Sequence, residues 1–196
     1  MQNLTVVQHG RRAFEIFSID DAFTDDELSL FDKIVEENNH DVRPFTYSRF
    51  RNGKLHCPDL STIVWQRLKT CLPTMYVSRF GRNRRLTGTT PFIMFAEMTA
   101  GQLFGLHTDT GSVFERGGMR ETSHTVLIYL NDDFSGGVTR FVDESFRPVC
   151  GIQPKRNRTL CFDIDIFHQG DEVTIGTKRW FGTELVVEDQ RLLDVA

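Results

Sequence analysis

No stretch of this chain approaches the roughly 20 consecutive apolar residues that a membrane-spanning helix requires, so no membrane partner is expected. A basic excess is missing as well. With 27 acidic against 23 basic residues and a formal charge of −4, the chain does not fit a general nucleic-acid binder. Cysteine is sparse: Cys57, Cys71, Cys150 and Cys161 are scattered with no Cys-x-x-Cys spacing. That pattern supports neither a zinc finger nor a disulfide framework and points to reduced thiols. Met1 to His9 contain no basic region leading into a long apolar stretch. No secretory signal is therefore visible, and a cytoplasmic placement is expected. Repeats, low-complexity tracts and linkers are absent too, and 196 residues suit one domain spanning 1–196.

What the chain has in quantity is phenylalanine, 17 of 196 residues, enough for a large aromatic core or an apolar pocket. Residues 13–23 alternate loosely and predict a first strand. Thr24-Asp25-Asp26-Glu27 reads as a capping box, with Phe23 and Leu28 placed as a hydrophobic staple. Leu28, Phe31, Ile34 and Val35 recur at helical spacing and predict a helix to about Asn38. Pro58-Asp59 opens a second helix that turns Leu60, Ile63, Val64, Leu68 and Leu72 inward and stops at Pro73. From residue 90, short runs rich in Val, Ile, Phe, Thr and Trp take over: 91–99, 125–131, 138–142, 159–163, 172–175 and 178–187. Ser135-Gly136-Gly137, Gly151 and Gly176 punctuate them, as in a sandwich or barrel. The fold class is α+β, mainly β, with a helix-rich N-terminal support over 1–90 and a β-core over 91–187.

Gly105-Leu106-His107-Thr108-Asp109-Thr110 holds the first chemical signal. On a strand, residues i and i+2 share a face, so His107 and Asp109 are expected to project together. His168, in Phe167-His168-Gln169-Gly170, ends another predicted strand far downstream. Two imidazoles and one carboxylate make the facial triad of non-haem Fe(II) oxygenases, which leaves coordination positions open. Alone, a His-x-Asp with a distant His is a weak signal, since such sets arise by chance. Lys178, just beyond Gly176, adds a cation that could meet the far carboxylate of a dicarboxylate chelating the metal, because an unpaired buried charge is costly. Read singly, Lys178 is more readily a solvated strand-end lysine. Arg179 is adjacent, and successive strand residues face opposite ways, so only one of the two faces such a site.

The sequence then runs in order through Gly101-Gln102-Leu103-Phe104-Gly105-Leu106-His107-Thr108-Asp109 and Ser123-His124-Thr125-Val126-Leu127-Ile128-Tyr129-Leu130-Asn131. Phe134-Ser135-Gly136-Gly137-Val138-Thr139-Arg140-Phe141 follows, then His168-Gln169-Gly170 through Gly176-Thr177-Lys178. Over about residues 91–187, with a fainter match at Trp65-Gln66-Arg67-Leu68, this resembles the prolyl 4-hydroxylase-like branch of the 2-oxoglutarate/Fe(II)-dependent dioxygenases. The resemblance implies a double-stranded β-helix (jelly-roll) core with supporting N-terminal helices. It implies that His107, Asp109 and His168 hold Fe(II) as the catalytic centre. It also implies that Lys178 binds the distal carboxylate of 2-oxoglutarate and that Tyr129 and Thr139 add cofactor contacts. Alternation along the strand would aim Thr125 and Leu127 inward with Tyr129, although Tyr129 reads equally well as a packed aromatic. Many relatives carry a Tyr where Met98 stands here, and Met98 donates no hydrogen bond.

The implied reaction is hydroxylation of a substrate C–H bond by O2 and 2-oxoglutarate, giving succinate and CO2, with ascorbate as an accessory reductant. Peptidyl proline or another protein side chain is the leading substrate class. A free amino acid or metabolite on the same scaffold is the second reading. The alternative of another class is a cupin-like metal-binding jelly roll without oxygenase activity, against which Lys178 speaks. Residues 112–122, with Gly117-Gly118, suggest either a lid over substrate or an ordinary surface loop. Arg79, Arg82, Arg84 and Arg85 suggest a solvated face or a contact for an acidic substrate or partner.

Overall fold

Residues 2–9, 12–37, 50–77, 83–109, 111 and 120–189 are described by the computed structural model. An antiparallel pair, β1 (Gln2–His9) and β2 (Arg12–Asp20), leads into α1 (Asp25–Glu37), β3 (Arg51–His56) and α2 (Pro58–Leu68). Next come β4 (Met75–Val77), β5 (Asn83–Thr89), β6 (Phe92–Thr99), β7 (Phe104–His107) and β8 (Arg120–Tyr129). The remainder is β9 (Ser135–Gly136), β10 (Thr139–Val142), β11 (Pro148–Ile152), β12 (Arg158–Asp163), β13 (His168–Gly170), β14 (Val173–Ile175) and β15 (Thr177–Asp189). The large sheet runs β1-β2-β12-β8-β15-β5-β4, with β6 on β15 and β3 on β6. The small sheet runs β11-β10-β13-β7, and β9 pairs with β14. The curled antiparallel sheets form a jelly-roll core.

Period-2 alternation gives the large sheet two apolar faces. On one face, Phe17, Ile19, Val126, Ile128, Cys161, Phe181 and Leu185 pack with the two helices. On the other, Phe14, Ile16, Tyr129, Leu160 and Phe162 meet Phe141 and Ile166. The helices thus back one side of the sheet, while the space between the sheets lies on the other.

The predicted capping box closes α1. Thr24 N–H donates to Glu27 Oε2 (2.8 Å), and Glu27 N–H donates to Thr24 Oγ1 (3.2 Å). Leu28 and Phe31 are buried, and the Phe31 ring stacks on Phe181 with centroids 4.9 Å apart. Helix α2 buries Leu60, Val64 and Leu68, whereas Ile63 is half-buried. It ends at Leu68 rather than at Pro73, because Leu68 O accepts the N–H groups of both Cys71 and Leu72 and turns the chain early. Leu72 still reaches the core. None of the described helices is long and apolar enough to cross a membrane.

The sequence predicts one strand before residue 90, over 13–23; the described residues there hold five. Strand β2 stops at Asp20, where Asp21 takes a positive φ of 58°. Strands β3, β4 and β5 owe their form to partners: β3 pairs with β6, β4 with β5 and β5 with β15.

Candidate metal centre

His107 ends β7 and pairs directly across to His168 on β13, so the two rings lie 4.3 Å apart between centroids. Each imidazole is oriented by a backbone carbonyl two residues earlier. His107 Nδ1 lies 2.7 Å from Gly105 O, and His168 Nδ1 lies 3.1 Å from Ile166 O. A carbonyl oxygen only accepts, so each Nδ1 is assigned the proton and each Nε2 keeps its lone pair. Both lone pairs face one carboxylate: His107 Nε2 is 3.5 Å from Asp109 Oδ1, and His168 Nε2 is 3.7 Å from Oδ2. His107 Nε2 is buried without a hydrogen-bond partner. One donor atom from each residue falls within 4.8 Å of the others, so the three can share a metal ion. An orphaned imidazole nitrogen beside a second nitrogen and a carboxylate fits Fe(II).

Asp109 reaches this position by a route the spacing alone does not describe. It lies past the end of β7, where its N–H donates to Ile164 O (3.0 Å) and the Thr125 hydroxyl donates to its Oδ2. The shared face with His107 therefore comes from an anchored turn and not from strand alternation. Phe104 stacks on His107 at 4.0 Å, and Phe162 stands edge-on to His168 at 4.6 Å. Burial pushes the Asp109 carboxyl up, but the neighbouring imidazoles of His107 and His168 and the hydrogen bond from the Thr125 hydroxyl outweigh it, leaving it below the ordinary range. Burial pushes the His168 imidazole down, against the opposing pull of Asp109. An ionised carboxylate beside a neutral imidazole is the state that metal binding requires.

Lys178 lies on β15 with only 3% of its surface exposed. Its Nζ donates to Gly137 O (2.6 Å) and sits over the rings of Tyr129 (5.2 Å) and Trp180 (5.1 Å). Burial pushes the ammonium down to about 7, with the charge of Asp171 opposing. The Tyr129 hydroxyl meets Thr139 Oγ1 at 2.7 Å, joining the large sheet to the small one. Burial raises the Tyr129 phenol above its ordinary value. On the small sheet, Thr139 faces Gly170 and Phe141 faces His168 in register, so Lys178, Tyr129 and Thr139 border the same interior as His168. Arg179 points the other way, its guanidinium 3.1 Å from Asp32 on α1. Met98 is fully buried opposite Lys178.

Thr125 lies inward as the alternation predicts, but its hydrogen bond to Asp109 has no sequence signal. Neither do the carbonyls of Gly105, Ile164 and Ile166, since every residue carries one. Residues 112–119 of the loop, with Arg79 and Arg82, lie outside the described residues. Arg84 is not on a solvated face: it is buried, 3.3 Å from Glu121, while Arg85 is exposed.

Residues 93–184 match the family model described as the 2OG-Fe(II) oxygenase superfamily. The matched span is just under half of the chain and holds His107, Asp109, His168 and Lys178. The match supports the reaction class of a 2-oxoglutarate-dependent dioxygenase that works with Fe(II). The cupin-like reading without oxygen chemistry is set aside. No curated protein matches the sequence. Among solved structures, the chain resembles a prolyl hydroxylase from Trichoplax adhaerens in complex with a hypoxia inducible factor peptide fragment. The TM-score is 0.62 at 15% identity, covering 92% of this chain and 86% of that one. It also resembles the viral collagen prolyl hydroxylase of Paramecium Bursaria Chlorella virus-1 with 2-oxoglutarate (TM-score 0.58, 14% identity, 89% and 96% covered). HygX from Streptomyces hygroscopicus, with nickel and 2-oxoglutarate bound, matches similarly (TM-score 0.58, 14% identity, 89% and 83% covered). At these identities the likeness is one of fold.

Proposed function

We propose that His107, Asp109 and His168 hold the Fe(II), that Lys178 receives the distal carboxylate of 2-oxoglutarate, and that the enzyme hydroxylates peptidyl proline or another protein side chain. The observation that carries this reading is the convergence of two carbonyl-locked imidazoles on one carboxylate, with His107 Nε2 buried and unpartnered. Bound there, Fe(II) would supply the oxidative decarboxylation of 2-oxoglutarate by O2 to succinate and CO2, with the second oxygen atom entering a substrate C–H bond.

The chain's own residues do the rest. Carbonyls at Gly105 and Ile166 hold the protons on Nδ1, so both Nε2 atoms stay available as ligands. Lys178, buried and facing two aromatic rings, offers its ammonium to a carboxylate, which would restore the charge that burial suppresses. Tyr129 and Thr139 present hydroxyls to the same interior and already satisfy each other. Phe104, Phe141 and Phe162 pack against the imidazoles and hold the rings in place.

Two features support a peptide substrate. The fold is shared with prolyl hydroxylases, one of them described with a peptide. Among the described residues, strand β7 also lies at the edge of the small sheet, with Leu106 on it and Leu103 just before it both exposed. Edge strands with exposed apolar residues suit extended peptides. A small-molecule substrate is the second reading, since HygX shares the fold. A cytoplasmic setting belongs to the same proposal, supported by free thiols at all four cysteines.

The test is succinate release from 2-oxoglutarate in the presence of peptide pools or of free amino acids and metabolites, with mass spectrometry for the gain of one oxygen atom. Proline-containing peptides should stimulate turnover and acquire the oxygen, and Asp109→Ala should abolish both. Stimulation by small molecules alone would overturn the peptide reading in favour of the second.

A further inference from the structure

Asp109 lies just past β7 and His168 opens β13, yet both lean on one turn. Asp163-Ile164-Asp165-Ile166 links β12 to β13, and its first residue folds it. Asp163 O accepts from Ile166 N–H (3.1 Å), and the Asp163 carboxylate accepts from Asp165 N–H through Oδ1 (2.9 Å). An aspartate closing a turn onto the backbone two residues ahead is a local device for fixing its shape. Two carbonyls of the shaped turn then point at the proposed metal ligands. Ile164 O accepts from Asp109 N–H (3.0 Å), and Ile166 O meets His168 Nδ1 (3.1 Å). The turn is tied back to β8 by Ile164 N–H donating to Ser123 O (3.1 Å). The chain beyond Asp109 lies flat against it: a Cβ added at Gly111 would meet Ile164 Cδ1 at 2.6 Å and Thr122 Oγ1 at 2.9 Å.

The other carboxylate oxygen of Asp163 accepts from the Tyr76 hydroxyl on β4, at the far edge of the large sheet. Asp163 is only 2% exposed. Its cross-strand neighbour His124 packs edge-on to Tyr76 at 4.7 Å and meets Ser123 Oγ at 2.8 Å. Burying a carboxylate is costly unless it is hydrogen-bonded, and here its bonds run to the turn on one side and to β4 on the other.

We infer that Asp163, clamped by Tyr76, is a positioning residue for the metal centre: it fixes the turn whose carbonyls aim the Asp109 backbone and the His168 imidazole together. The inference rests on the reading of His107, Asp109 and His168 as the metal ligands. Neither Asp163 nor Tyr76 is proposed to touch the ion. Loosening the turn should let the two ligands lose their common geometry, and outer partners of this kind typically govern about 10–100-fold in metal affinity. A purely structural role for Asp163 would lower stability and leave metal binding alone.

The test is Co(II) binding to the full chain in competition with a fluorescent chelator, together with the Co(II) absorption spectrum and thermal unfolding of the metal-free protein. Asp163→Ala should weaken Co(II) binding by about 10–100-fold. Asp163→Asn keeps an acceptor for Asp165 N–H and should recover most of that loss. Tyr76→Phe deletes only a hydroxyl and should weaken binding by about tenfold, with the same spectral change. Wild-type affinity and spectrum in Tyr76→Phe and the Asp163 variants, with only a lower melting temperature, would overturn the inference. Should Asp163→Ala fail to fold, Tyr76→Phe decides alone. Asp109→Ala separates the two levels: if wild-type Co(II) binding does not depend on Asp109, the metal-centre reading itself fails, and the positioning role with it.

Discussion

Lys178 is a cation held where water cannot solvate it, and that sets how 2-oxoglutarate binding should respond to pH. Burial lowers its pKa to about 7, and an incoming carboxylate favours the charged form and raises it again. Binding therefore takes up a proton above about pH 7, and affinity should fall as pH rises, by up to about tenfold per unit. Isothermal titration of metal-loaded protein with 2-oxoglutarate between about pH 6 and pH 9 reads this directly. Lys178→Met, of similar length and uncharged, should bind weakly and lose the slope. A wild-type affinity flat across that range would contradict the assignment. Folding of the ligand-free protein is linked in the opposite sense. The unfolded chain holds this proton up to 10.5 while the fold releases it near 7, so stability grows with pH between those values. At this scale much was legible: His107, Asp109, His168 and Lys178 stand in motifs. The choice between Lys178 and Arg179 was not, because it depends on the register of β15 against β6 and β8 and on Asp32 waiting on α1.

The elements that aim these side chains vary in how openly the sequence declares them. Helix α1 is declared by its own local chemistry, since both hydrogen bonds of the capping box lie within Thr24 to Glu27. Strand β3 is not. Arg51–His56 forms a strand by pairing residue for residue with Phe92–Glu97. Ser135-Gly136-Gly137 reads as a turn between strands, but the structure places Ser135–Gly136 in β9, and what the glycines supply is their backbone geometry. Both residues have positive φ (82° and 66°), and a Cβ on Gly136 would fall 2.2 Å from Glu172 O. A Cβ on Gly137 would meet Lys178 Cδ at 3.0 Å, and Gly137 O holds Lys178 Nζ. Gly136→Ala should therefore cost about 2 kcal/mol or more and weaken 2-oxoglutarate binding by disturbing the seat of Lys178. Thermal unfolding and ligand titration check the two effects, and a variant that melts and binds like wild type would contradict the role given to these glycines.

On the scale of the whole molecule, the large sheet divides support from chemistry. Its helical face buries Leu28, Phe31, Leu60, Val64 and Leu68 against Val126, Ile128 and Phe181, while His168, Lys178 and Tyr129 border the opposite side. Phe31→Ala should accordingly destabilise the protein by about 3–5 kcal/mol while the folded fraction keeps its metal affinity. Denaturant unfolding and Co(II) titration separate the two, and a matching loss of affinity would show that the faces are coupled. The β-rich character of 91–187 was visible in the sequence, but the pairing of β12 between β2 and β8 was not, because it joins strands far apart along the chain.

The central claim is that one ion held by His107, Asp109 and His168 binds 2-oxoglutarate whose far carboxylate rests on Lys178. Anaerobic titration of Fe(II)-loaded protein with 2-oxoglutarate tests it through the visible metal-to-ligand charge-transfer band. The band should form in wild type and require much more 2-oxoglutarate in Lys178→Ala. Fully loaded wild type that shows no band, or a Lys178→Ala curve that overlays the wild type, would contradict the claim.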